Sequence, residues 1–101
     1  MTISLNQGLT LLISPEDAHL LAFKWTAVNN PWRYGKKRGD HWYAQRRPTI
    51  GGRRVTIYLH RAIMDPPAGY VVDHKNGNGL DNRRENLEIV SHAENIRRSK
   101  Q

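Results

Sequence analysis

The chain contains no cysteine, which excludes disulfides, thiolate zinc sites and cysteine nucleophiles, so any metal must be held by oxygen or imidazole ligands. Acidic residues are few: nine Asp and Glu face sixteen Lys and Arg, giving a formal net charge of +7 with no acidic stretch to offset the basic clusters. Such an excess favours a polyanionic partner. No apolar run approaches membrane-spanning length, so a membrane role is not expected. The opening Met1 to Gly8 lacks the charged start and apolar core of a signal peptide, and a cytoplasmic location is expected. No internal repeat or low-complexity segment divides the 101 residues, a length that suits one compact domain, 1–101. Hydrophobic residues at 38% supply only a modest core, so support from a partner or a metal would help the fold.

What is present reads as α+β, a small N-terminal antiparallel sheet with short helices followed by a hairpin and helix. Ile3 to Ile13 alternates short apolar runs around Asn6-Gln7-Gly8, the pattern of two strands about a turn. Ser14-Pro15-Glu16-Asp17 supplies a capping residue, a proline at the first helical position and early acids, predicting a short helix through Phe23. Three β-rich pieces follow, Trp25 to Asn29, His41 to Arg47 and Arg53 to Leu59, separated by turns at Tyr34 to Asp40 and Gly51-Gly52. Leu59 to Met64 is helix-like and stops at Pro66-Pro67. Tyr70 to His74 and Asn86 to Val90 are strand-like and flank a long polar loop, Lys75 to Glu85. Ser91-His92-Ala93-Glu94 is a capping box that starts a last helix over about 92–99. Residues 1–58 thus read as a β-rich scaffold that positions a partner, and 59–101 as the chemically dense part.

That density peaks between Val72 and Leu87. Asp73 and His74 stand where a strand runs into a Gly-rich loop, and a breakdown of the pleat there would let both face one cavity. With the last helix folded back over the hairpin, Asn95, about one turn in, presents its carbonyl oxygen beside Asp73. A carboxylate and an amide oxygen are hard donors suited to Mg²⁺ or Mn²⁺, and two protein ligands leave positions open for phosphate and water. An imidazole beside such an ion can take a proton from an attacking water near neutral pH, which makes His74 the natural base for phosphodiester hydrolysis.

The wider pattern is His60-Arg61, Val72-Asp73-His74, Asn76-Gly77-Asn78, Leu80-Asp81-Asn82-Arg83, Glu85-Asn86-Leu87 and His92-x-x-Asn95. It resembles the HNH endonucleases, in particular the phage and intron-homing branch, over Leu59 to Arg98. The resemblance implies a C-terminal ββα-metal hairpin-helix motif in a bacterial or phage-infected host cytosol. It implies His74 as the catalytic base, Asn86 as the catalytic-loop clamp, and Asp73 and Asn95 as ligands of one divalent ion, Mg²⁺ or Mn²⁺. The third position holds Asn95 rather than histidine, an H-N-N variant for which zinc would inhibit rather than activate.

Blander readings stand beside these. Asn76, Asn78, Asp81 and Asn82 read as turn formers without chemistry. His60 lines the site, binds phosphate or simply packs; His92 competes for the third position, binds phosphate at the helix start or is exposed. Arg83, Arg84, Arg97 and Arg98 lie nearest the site and are candidates to grip phosphates flanking the scissile bond, with Arg46, Arg47, Arg53 and Arg54 contacting duplex from the sheet. The tryptophans and tyrosines read as core rather than base-stacking groups. The expected partner is double-stranded DNA and the expected state a monomer or homodimer, which bears on nicking versus double-strand cleavage. The rival reading is a catalytically inactive HNH-like nucleic-acid-binding module; an RNA-directed nuclease is a third.

Overall fold

Short apolar runs separated by a polar turn build the first hairpin. Strand β1 (Thr2–Ser4) and β2 (Thr10–Ile13) pair antiparallel, Ile3 opposite Leu11, around a single 3-10 turn at Asn6–Gly8. The Asn6 side chain ties this turn to the sheet beyond it, its Oδ1 accepting from the Ala27 amide at 2.7 Å and its Nδ2 donating to the Ala27 carbonyl at 3.2 Å. The computed structural model describes residues 1–30, 32–33, 36–37 and 40–99, with only the backbone of 32–33, 36–37, 96, 98 and 99.

Pro15–Ala22 forms the expected short helix, of 3-10 type, but Ser14 makes no side-chain cap on it. The reason is tertiary. The Ser14 hydroxyl accepts from the Arg84 amide at 2.9 Å, so the predicted capping residue is spent on a contact across the chain instead of on its own helix.

The middle of the chain is a three-stranded antiparallel sheet ordered β3-β6-β9, with flanking hairpins. Its strands in chain order are β3 (Thr26–Asn29), β4 (Trp32–Arg33), β5 (Lys36–Lys37), β6 (Trp42–Arg46), β7 (Thr49–Ile50), β8 (Arg53–Arg54) and β9 (Ile57–Tyr58). Strand β4 pairs with β5 and β7 with β8. The expected turn at Tyr34 to Asp40 thus contains a strand, while Tyr34, Gly35, Arg38 and Gly39 lie outside the described residues. The expected strand Arg53 to Leu59 is split: only Ile57 and Tyr58 join β6, and Arg53 and Arg54 turn back on Thr49 and Ile50. Gly51 and Gly52, at φ +59° and +80°, permit this two-residue turn, since both central positions require left-handed backbone that glycine adopts without steric cost.

Helix α1 (Leu59–Met64) ends at Asp65, which is itself left-handed at φ +46°, just before Pro66-Pro67. Strand β10 (Tyr70–His74) pairs antiparallel with β12 (Leu87–Ser91), from Tyr70 opposite Ser91 to His74 opposite Leu87. Between them β11 (Asp81–Asn82) adds in parallel to β2, giving the order β1-β2-β11. Helix α2 (His92–Ser99) follows β12 directly, and the Ser91 hydroxyl accepts from the Glu94 amide at 3.1 Å, as the capping box predicts.

One core serves all these elements. Leu11 and Ile13 of β2, Trp25, Ala27, Ala44, Leu59 and Ile63 of α1, Val72, Leu80 and Leu87 form a single buried cluster. Truncating a wholly buried member such as Leu11 or Leu59 to Ala is expected to cost about 2–5 kcal/mol. The fold is small α+β, mostly strand with short helices. Among the described residues no helix is long and apolar enough to cross a membrane.

Candidate active site

His74 is the last residue of β10 and its ring is buried, on the same strand face as Val72 and opposite Leu87. Its Nε2 lies 2.8 Å from Oδ1 of Asn82, a side chain with no exposed surface. The Asn82 Nδ2 donates to the Gly79 carbonyl at 3.4 Å, which fixes the amide with its oxygen toward the imidazole. An amide oxygen only accepts, so Nε2 carries the proton and Nδ1 keeps its lone pair. Burial pushes the His74 pKa down, against opposing influences from the Asn82 bond and from the carboxylates of Asp73 and Asp81. The ring is therefore neutral at pH 7, the form a base needs.

A second histidine backs the first. The His60 ring meets His74 edge to face at 5.0 Å and 73°, and stacks on Tyr58 at 5.7 Å; Tyr58 meets Tyr43 at 5.4 Å, and Tyr43 meets His41 at 6.0 Å. Burial, followed by the charges of His74, Arg61 and His41, lowers the His60 pKa to about 3. Its Nδ1 is buried without a hydrogen-bond partner among the described residues. Asn30, His41, Tyr43, Tyr58, His60 and Arg61 line an open cleft of about 290 Å³ on this side.

The loop from Lys75 to Asn86 is held from within. Asn86 is buried; its Oδ1 accepts from the Asn76 amide at 3.1 Å, and its Nδ2 donates to Asn76 Oδ1 at 3.0 Å and to the Asp81 carbonyl at 2.8 Å. The Lys75 amide donates to the Asn86 carbonyl at 2.8 Å. Asn78 and Leu80 amides donate to Asn76 and Asn78 side chains. At Gly79 the loop passes against β6, where a Cβ would collide with the backbone carbonyl of Trp42. Asp81 and Asn82, pinned to β2, then present Asn82 to His74.

Asp73 and Asn95 are both half-buried, and α2 lies against both β10 and β12. The pleat does not break at Asp73 and His74: both pair regularly, with Glu88 and Leu87. The expectation of a broken pleat is thus corrected, because the ladder runs to the last residue of the strand, and regular alternation directs the two side chains to opposite faces. Among the described residues no three His, Cys, Asp or Glu side chains gather as a metal cluster, so a divalent ion here would rely on a two-residue carboxylate and amide donor set.

The arginines divide sharply. Arg83 forms a bidentate pair with buried Asp81, at 2.8 and 2.7 Å, and these hydrogen bonds hold the Asp81 carboxyl below its ordinary value against the opposing effect of burial. Arg84 does the same with buried Asp17, at 2.9 and 2.7 Å, tying the loop to the Pro15–Ala22 helix. Both side chains, singled out in the sequence as phosphate grips, spend their donors on internal carboxylates. The Arg46 guanidinium lies 3.9 Å above the Phe23 ring. Arg97 pairs with Glu94 one turn back at 3.1 Å and is largely exposed. Arg47, Arg53 and Arg54 are exposed, and the Arg98 side chain lies outside the described residues. His92 is exposed at the first position of α2, where its amide donates to the Gly69 carbonyl at 3.1 Å.

Residues 65–97 match the family model of the HNH endonucleases. The chain carries an HNH endonuclease segment. No curated protein and no solved structure matches the chain. The HNH segment begins just after α1 and includes β10, the clamped loop, β12 and all of α2 up to Arg97. It points to a nuclease-type function; HNH nucleases generally use a divalent metal ion and act on DNA. His60 and the Tyr43–Tyr58 rings lie outside it, supplied by the sheet and α1. Sequence reasoning missed Asn82 as the partner of His74, because in an Asn- and Asp-rich loop it is indistinguishable from a turn former. It also missed Asp17, whose place in a presumed helix start hid its role as the anchor of Arg84.

Proposed function

We propose that the protein is a metal-dependent DNA endonuclease in which His74 takes the proton of the attacking water. The observation that carries this reading is the bond between His74 Nε2 and Asn82 Oδ1, which leaves Nδ1 as the basic nitrogen of a ring kept neutral by burial. Water deprotonated at Nδ1 attacks the phosphorus, and the bond to the leaving sugar oxygen breaks in line. Asp73 and Asn95 are the residues that would hold one Mg²⁺ or Mn²⁺, a hard ion that supplies positive charge to the phosphate and leaving oxygen. Asn86 acts through the loop, fixing Asp81 and hence the strand that carries Asn82. His60 limits rotation of the His74 ring from the other side.

The resemblance to the phage and intron-homing branch supports duplex DNA as the substrate, and the net charge of +7 agrees with it. Supercoiled plasmid incubated with Mg²⁺, Mn²⁺, Zn²⁺ or EDTA tests the reading. Nicked or linear product that needs Mg²⁺ or Mn²⁺ and vanishes in His74→Ala is expected. No cleavage with any ion, with salt-sensitive DNA binding retained, would establish the inactive binding module instead.

A further inference from the structure

The β7–β8 hairpin stands apart from the rest of the molecule. Every residue from Thr49 to Thr56 is exposed, so the hairpin buries neither face, and Ile50 is 56% and Val55 39% exposed. A two-stranded ribbon with no covered face contributes little to its own stability, and its sequence is not that of an inert turn. No Asp or Glu occurs between Asp40 and Asp65. Arg47, Arg53 and Arg54 make no ion pair among the described residues, whereas Arg83, Arg84 and Arg97 each have a carboxylate. Arg53 and Arg54 on the ribbon, with Arg47 just before it, thus carry positive charge that no acid matches among the described residues.

Its geometry matches one feature of duplex DNA. Ile50 pairs with Arg53 and Thr49 with Arg54, so the two arginines leave the ribbon from opposite faces. Paired strands lie ~4.8 Å apart, and a two-stranded ribbon is an element that a groove of sufficient width admits. That describes a major groove about 12 Å wide but not a minor groove about 6 Å wide. The arm from Pro48 to Ile50 reaches about 10 Å at ~3.3 Å per residue, comparable to the major-groove depth of about 8.5 Å. The closing bond from the Val55 amide to the Pro48 carbonyl, 2.9 Å, holds the base of the arm.

We infer that the β7–β8 hairpin is a DNA-docking ribbon that enters the major groove, with Arg53 and Arg54 on the phosphates of opposite walls and Ile50 against base edges. This rests on duplex DNA being the substrate of the His74 site, and it assigns substrate grip to an element outside the HNH segment.

The test is anisotropy of a labelled DNA duplex titrated with protein in EDTA, over a range of NaCl, for wild type and for Arg53→Gln/Arg54→Gln. Because the replaced side chains are exposed, the variant's thermal midpoint and circular dichroism check that it folds; Arg47→Gln serves as a second variant. Removing two phosphate contacts lowers the slope of log K against log salt by about 2 and weakens binding about a hundredfold near 0.1 M salt. Wild type is expected to shield guanine N7 from dimethyl sulfate. Equal affinity and equal slope for wild type and both variants would overturn the inference, as would displacement of wild type by a minor-groove drug, tighter binding to duplex RNA than to DNA, or no duplex binding by wild type. Cleavage with Mg²⁺ is scored separately: a ribbon-dependent Kd without any cleavage refutes the nuclease reading and leaves the docking ribbon standing.

Discussion

Replacing His60 by Gln should make the protein less sensitive to mild acid. His60 is half-buried, packed against His74 and Tyr58, and its pKa is lowered to about 3, mainly by desolvation, whereas in the unfolded chain it is near 6.5. Between those values the unfolded state binds a proton that the folded state refuses, so stability is complete above about pH 6.5 and falls as the pH drops toward 3. From pH 7 to pH 5 the loss amounts to about 2 kcal/mol at ~1.4 kcal/mol per unit, a large part of a total of about 5–15 kcal/mol. His74, also lowered by burial, adds a loss of the same sign that is common to wild type and variant. Urea unfolding followed by circular dichroism at pH 7 and pH 5, in EDTA, measures the difference. The wild type should lose about 2 kcal/mol more than His60→Gln, a midpoint change of about 1–2 M urea, whatever the substitution does at pH 7. Equal losses in the two proteins would show that the His60 imidazole is protonated in the folded state and would refute the packing argument.

Gly79→Ala places a methyl group into the Trp42 carbonyl and should cost several kcal/mol through forced backbone movement. Gly51→Ala, at φ +59° with open space around it, should cost only about 1 kcal/mol, and paired thermal melts distinguish the two. Asn82→Ala frees the His74 ring and removes the acceptor that sets its tautomer. Plasmid cleavage should fall by about a hundredfold or more while duplex affinity stays within a few fold, and unchanged cleavage would remove Asn82 from the site. Asp17→Ala strands Arg84 and loosens the loop from the Pro15–Ala22 helix; a lower melting midpoint is expected, with an unchanged midpoint showing that the pair is dispensable. Asp73→Ala and Asn95→Ala should each shift the Mg²⁺ concentration needed for half-maximal cleavage upward, and an unchanged metal titration would exclude them as ligands.

How much of this was legible in the sequence depends on the distance over which each contact acts. The hairpin β10–β12 and helix α2 were readable because strand alternation and the Ser91 to Glu94 capping box act within a few residues. So was the stop after Met64, which needs only Asp65 and the prolines. The short helix at Pro15–Ala22 was also readable, but the role of Ser14 was not, for the opposite reason. Its capping serine answers an amide 70 residues away and its buried aspartate a guanidinium 67 residues away. The anchor of Arg84 was hidden for the same reason, since Asp17 lies 67 residues away, whereas the Asp81–Arg83 pair spans only two residues.

The partnership of His74 with Asn82 shows why a site can be visible while its working geometry is not. Eight residues separate the two, close enough that the loop's composition marks the region, yet the contact exists only because Asp81 and Asn82 form a two-residue strand on β2. A strand that short leaves no periodicity to read. What holds it is Gly79 passing under the Trp42 carbonyl, Leu80 in the core, and Asn86 bonded to the Asp81 carbonyl. The His74 ring is therefore oriented jointly by the first hairpin, the central sheet and the loop between β10 and β12. A segment comprising β10 to α2 alone would keep His74 and Asn82 but lose β2, the strand on which Asp81 and Asn82 are held, so the N-terminal elements help set the geometry around His74.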